Sequence, residues 1–198
     1  MMQQRKRDAL HQRRTDSSAT VVDHPGARYG RPAIALHWLM LILIAAAYAY
    51  VELRGNFPKG SDLREGLTAW HFMLGLSVLL LVSVRVVLRL SGTTPPILPA
   101  LPRWQVVLSR VMHVALYALT IGMPMLGWLT LSAEGHPIPI FFVHLPALVN
   151  ESKSVAEWAK EVHAIGGTTG YFLIATHAAA LFHHYFVRDN TLRRMLPS

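Results

Sequence analysis

The chain reads as all-α: an integral membrane four-helix bundle with both termini in the cytoplasm. Three observations predict this. Hydrophobic residues fill 52% of the 198 positions and charged residues 15%, a balance that excludes an ordinary soluble domain. Four windows lack Asp, Glu, Lys and Arg altogether: twenty residues between Arg31 and Glu52, nineteen between Glu65 and Arg85, twenty-three between Arg110 and Glu134, and twenty-six between Glu161 and Arg188. A hydrocarbon core of about 30 Å takes roughly 20 apolar residues as helix, so each window is long enough to span. Fourteen of the Lys and Arg residues fall in the N-terminal arm, the second connection with its flanks and the C-terminal tail, against five in the other two loops. The positive-inside rule puts the richer side in the cytoplasm.

Residues 1–31 form a basic, polar arm expected to be disordered. The four-helix domain occupies residues 32–198. Its first helix is expected from about Pro32 to Val51, with proline suited to a first turn. The run Ala45-Ala46-Ala47-Tyr48-Ala49 resembles a leader cleavage site, but the basic region before it is very long and the apolar run exceeds about 15 residues, so the span is retained. An outer loop with Gly55, Pro58 and Gly60 leads to a second helix over about Leu67 to Leu90. The inner connection, rich in proline from Pro95 to Pro102, predicts an extended strap. A third helix follows over about Trp104 to Leu131, with a kink expected at Pro124. The second outer loop begins with an apolar, proline-broken stretch, Gly135 to Phe142, expected at the membrane interface. From Glu151 to His163 it reads as an amphipathic helix running into the fourth span.

The net charge of +8 is read as a topology signal and an attraction to anionic membrane lipid, not as a nucleic-acid interface. Cysteine is absent, which excludes disulfides, iron–sulfur clusters, thiolate metal sites and covalently attached haem. A redox centre in this chain must hang on His, Met or carboxylate ligands.

Histidine is the residue that points to chemistry. His177 follows His163 by fourteen residues, close to a whole number of turns, so both imidazoles leave one face of the fourth helix about 21 Å apart. Ionisable rings inside a bilayer point inward and usually serve a function. By depth, His71 matches His163 near the outer surface and His37 matches His177 in the inner half. Two depth-matched pairs on three helices suit bis-histidine metal centres, one near each surface, and hence electron transfer across the membrane. His113, at inner depth on the third helix, competes with His37 for the inner centre or bonds elsewhere. His183 and His184 lie at the inner boundary, where they are candidates for hydrogen bonding a quinone carbonyl or members of an interfacial belt with Tyr185 and Phe186. His136 and His144 in the outer loop, and His11 and His24 in the arm, carry no expected role.

Arg85 follows His71 by the same fourteen residues and so faces the bundle at inner depth. A buried guanidinium needs an anion, and a haem propionate is a candidate; a snorkelling arginine is the other reading. Gly75, Gly166, Gly167 and Gly170 suit close packing, against a flat cofactor or a neighbouring helix.

Particular segments carry a resemblance. They are Ile34-Ala35-Leu36-His37-Trp38-Leu39, Glu52-Leu53-Arg54-Gly55-Asn56-Phe57-Pro58, Thr94-Pro95-Pro96-Ile97, and above all His177-Ala178-Ala179-Ala180-Leu181-Phe182-His183-His184-Tyr185-Phe186 with Asp189-Asn190-Thr191-Leu192. With them the chain resembles the bacterial cytochrome b561 family over about residues 31–197, and within it most closely the superoxide oxidases. The resemblance implies four helices with a di-haem core in the bacterial inner membrane. It also implies two b-type haems, held by His37 with His177 and by His71 with His163. It further implies oxidation of superoxide at the outer face and reduction of ubiquinone, with His184 at the family's quinone contact. Arg54, Lys59 and Arg64 are candidates for an outer basic patch that attracts superoxide, with Glu52, Asp62 and Glu65 among them. Two further readings stay open: an anchor and electron conduit for a partner dehydrogenase, or a non-redox bundle with structural histidines. Oligomeric state has no signature in the sequence.

Overall fold

A computed structural model describes residues 31–91 and 102–187, with backbone alone for Arg31 and for residues 183–187. The N-terminal arm, the proline-rich strap and the C-terminal tail lie outside the described residues. Four long helices dominate: α1 Arg31–Leu53, α2 Asp62–Ser91, α3 Arg103–Ala133 and α4 Lys153–Val187. Each contains a segment long and apolar enough to cross a membrane. Below, the side carrying the α1–α2 and α3–α4 connections is the hairpin end, and the opposite side is the termini end.

A short 3-10 turn, Arg54–Asn56, closes α1. Arg64 holds it, donating from one guanidinium nitrogen to the carbonyls of Arg54 (3.0 Å) and Phe57 (2.8 Å). Gly60 takes the left-handed conformation (φ 82°) that turns the chain into α2. The helix starts five residues before the expected Leu67 because Ser61 caps it, its hydroxyl accepting from the Arg64 N–H, and because Asp62 and Glu65 place negative charge in the first turn. Charge-free windows cannot register such a start. α3 is one unbroken helix that contains Pro124.

Between α3 and α4 the structure adds an antiparallel hairpin the sequence did not suggest: β1 Ile138–Ile140 against β2 Val143–Leu145, with Ile138 opposite Leu145. Ile138 is buried with Leu76 of α2 and Leu131 of α3, so the segment called apolar and broken closes the hairpin end of the bundle. Phe141 at its tip has φ 51° and Phe142 is fully exposed. The expected amphipathic helix before His163 is present and continuous with the fourth span, making α4 a single helix of 35 residues.

Packing is pairwise. α1 lies on α2, α3 on α4, and α2 on α3. Among the described residues no Cα of α1 comes within 8 Å of one in α4. The gap is bridged by side chains near the hairpin end: the Tyr48 hydroxyl donates to the Gly167 carbonyl (2.9 Å), the Tyr48 and Tyr171 rings lie 4.4 Å apart, and Tyr171 donates to Glu52 (2.7 Å). Buried clusters are small, Met40 with Val78 and Val82 toward the termini end and Leu76 with Leu131 and Ile138 toward the hairpin end. Large apolar side chains such as Leu80, Val114 and Phe172 face outward, as lipid contact requires. Hydroxyls within the spans are satisfied by the carbonyl one turn back, as for Ser77, Ser83, Thr120 and Thr169.

The glycines separate into two kinds. A Cβ at Gly166 would strike the Met123 sulfur, and one at Gly170 would strike the Tyr48 hydroxyl, so these two are helix–helix contacts. A Cβ at Gly75 or Gly122 would meet nothing within 4 Å. Gly170→Val is therefore expected to cost about 1–3 kcal/mol through overpacking, read as earlier thermal unfolding in detergent.

Glu134 latches the hairpin end. It pairs with Lys160 of α4 and lies 3.4 Å from the His136 ring. Burial pushes its carboxyl up, but the bond and charge of Lys160, with those of His136, outweigh that and hold it below its usual 4.5. A depressed carboxyl stabilises the fold above its unfolded value and loses that contribution as pH falls through the folded one. The stability difference between the natural chain and Glu134→Gln is expected to be constant near neutrality and to shrink in the acid range, measured as thermal unfolding against pH.

Candidate functional site

Two groups of rings occupy the interior, one toward each end. At the hairpin end, His71 of α2 faces His163 of α4 with ring centres 6.1 Å apart and planes at 72°. His71 Nδ1 lies 2.9 Å from the Ala47 carbonyl of α1. A carbonyl only accepts, so Nδ1 carries the proton and Nε2 keeps a free lone pair, the state in which histidine binds metal. His163 has a buried Nδ1 without a hydrogen-bond partner, with the Met123 backbone the polar group acting on the ring. Gly127 of α3 lies beside this ring, where a Cβ would stand in ordinary contact, 3.7 Å from His163 Cε1. Arg54 lies within electrostatic reach of both histidines and pairs with no carboxylate among the described residues.

At the termini end, the depth-matched His37 and His177 are not in ring contact. His37 packs against Trp38 (5.9 Å), close enough to His177, His113 and Arg85 to feel their charges. The ring set against His177 is His113 of α3, at 5.6 Å and 77°. His113 Nδ1 is held by the Ser109 carbonyl at 2.6 Å. Arg85 crosses from α2 to both neighbours, its Nη1 donating to the Ala33 carbonyl of α1 (3.3 Å) and its Nε to the Tyr117 hydroxyl of α3 (3.4 Å). It too has no carboxylate partner among the described residues. The side chains of His183 and His184 lie outside the described residues.

The arrangement selects among metal groups. A bare ion takes four or more ligands, and no cluster of three or more His, Cys, Asp or Glu able to hold one exists among the described residues. Paired imidazoles suit a metal whose other positions a planar macrocycle fills. His71 and His163, on two helices with ring centres 6.1 Å apart, are such a pair and would be the residues to hold it. The unpartnered His163 Nδ1, the open space beside Gly75 one turn from His71, the space beside Gly122, and the backbone gap between α1 and α4 fit a haem as well.

Sequence reasoning assigned Arg54 to a surface patch and missed its place beside the His71–His163 pair; its position directly after α1 was the available signal. Arg64, assigned to the same patch, is tied to two loop carbonyls and still lends its charge there.

A profile of the prokaryotic cytochrome b561 family matches residues 28–198. The chain is 36% identical over 171 residues to cytochrome b561 homolog 1 of Escherichia coli (strain K12), covering 86% of this chain and 97% of that protein. It is 34% identical over 171 residues to the probable superoxide oxidase CybB of Yersinia pestis, covering 86% and 96%. To cytochrome b561 homolog 2 of Escherichia coli (strain K12) it is 29% identical over 178 residues, covering 85% and 91%. The chain belongs to the prokaryotic cytochrome b561 family, membrane electron-transfer proteins that bind haem b.

Proposed function

We propose that this protein is a di-haem b cytochrome of the bacterial inner membrane, with both termini cytoplasmic, that oxidises superoxide at the periplasmic face and reduces ubiquinone. The observation carrying this reading is the ring-to-ring placement of His71 and His163, with His71 already in its metal-binding tautomer. His71 and His163 hold the outer group; His37 and His177 hold the inner one. When bound, haem b supplies one-electron chemistry at each pair. Haem held by two imidazoles would supply electron transfer rather than oxygen binding. Arg54 and Arg85, cations at the two depths with no carboxylate partner among the described residues, are the groups suited to propionates.

A superoxide anion needs a positive approach. Beside the outer pair lies a cleft of about 620 Å³ lined by Lys59, Arg64, Thr68, Phe72 and His136, with Glu65 its one acid. Phe72 of its lining sits edge-on to His71 at 6.0 Å. Two superoxide anions release two electrons and become two O2; one quinone takes both with two protons and becomes quinol. His183 and His184, at the cytoplasmic boundary, are the candidates to bond the quinone and pass those protons. The superoxide oxidase description of the Yersinia relative supports the donor side of this reading.

Stopped-flow mixing of oxidised protein with superoxide is expected to produce reduced haem bands; an unchanged spectrum overturns the reading. Lys59→Glu is expected to slow that reaction about tenfold at low ionic strength, with the difference fading as salt rises.

A further inference from the structure

His163 and His177 of α4 are each faced by an imidazole from another helix, and both facing rings set Nδ1 on a backbone carbonyl, that of α1 for His71 and that of its own helix for His113. His71, opposite His163, has Nδ1 on a backbone carbonyl at 2.9 Å; His113, opposite His177, has Nδ1 on a backbone carbonyl at 2.6 Å. The ring centres stand 6.1 and 5.6 Å apart and the planes cross at 72° and 77°. In each case the carbonyl fixes the proton on Nδ1 and leaves Nε2 as a free donor of its lone pair. Within the inner group His37 is the outlier: it touches Trp38, makes no ring contact with His177, and has no such carbonyl bond among the described residues.

We infer that His113 is a second, ligand-competent partner of His177, able to take the place of His37. The exchange swaps one neutral imidazole nitrogen for another and moves no electron. The surroundings permit it without rebuilding the helix. His113 is an exposed ring on the third helix, tethered only to Ser109 one turn back, so a side-chain rotation is enough to adjust its reach. Arg85 reaches the same centre from α2 and bonds both α1, through Ala33, and α3, through Tyr117. It therefore links the two helices that carry the competing ligands.

This rests on the di-haem reading, and the test separates the two. His37→Ala, His37→Gln, the double change His37→Ala with His113→Ala, and His177→Ala would be purified and read by haem content per chain and by low-spin ferric signals in electron paramagnetic resonance. The single His37 variants are expected to keep two low-spin haems with the inner signal displaced, and the double variant to fall to about one, the outer haem reporting that the bundle is intact. Loss of the inner haem from both single variants, to the level of the double variant, overturns the inference. Natural protein carrying fewer than two haems would instead overturn the di-haem reading, and retention of both haems in His177→Ala would overturn His177 as the ligand on which the inference depends.

Discussion

An imidazole inside a bilayer has to be answered by something, and α4 carries two of them on one face. Water is absent there, so an unanswered ring nitrogen costs the full desolvation of its lone pair or N–H. The rest of the bundle is arranged around that demand. His71 approaches His163 from α2, with its own second nitrogen answered by α1. His113 approaches His177 from α3, and Arg85 from α2 reaches the same centre. Each helix thus contributes a polar group to a problem posed by the fourth. Among the described residues, the buried Nδ1 of His163 has no hydrogen-bond partner.

Helix packing follows from the same constraint. Lipid tails are as apolar as leucine, so little drives the helices together except close van der Waals contact and a few interhelical bonds. Those contacts are concentrated where a flat group is not wanted: Gly166 against Met123, Gly170 against Tyr48 and Leu119. Elsewhere the backbones stand apart. α1 and α4 meet through tyrosine side chains near the hairpin end, and glycines at 75 and 122 face open space. The bundle is tight at its seams and roomy beside its histidines.

Much of this is legible in the residues. Four charge-free windows mark the four spans, because a charge is the costliest thing to leave in hydrocarbon. Helical spacing from His163 places the second ring, and depth alone pairs His71 with His163, which the fold brings face to face. Depth ranks partners less well at the inner end, because it is one coordinate and three helices compete: His37 and His113 both match His177, and rotation about each helix axis decides which ring touches it. The hairpin at Ile138 to Leu145 was hidden by Pro137 and Pro139, which read as breakers although an isolated ladder loses little when proline sits on its edge. The early start of α2 was hidden for a different reason: its first turn is made of charges, favourable at a helix N-terminus outside the membrane and invisible to a search for apolar runs.

The central claim is that the two histidine-lined spaces each hold a haem b between paired imidazoles. A reduced-minus-oxidised spectrum of the purified protein, with haem quantified per chain, tests it most directly. The account predicts six-coordinate b-type bands at about two haems for each polypeptide. A chain that carries no haem, or a single one, contradicts it.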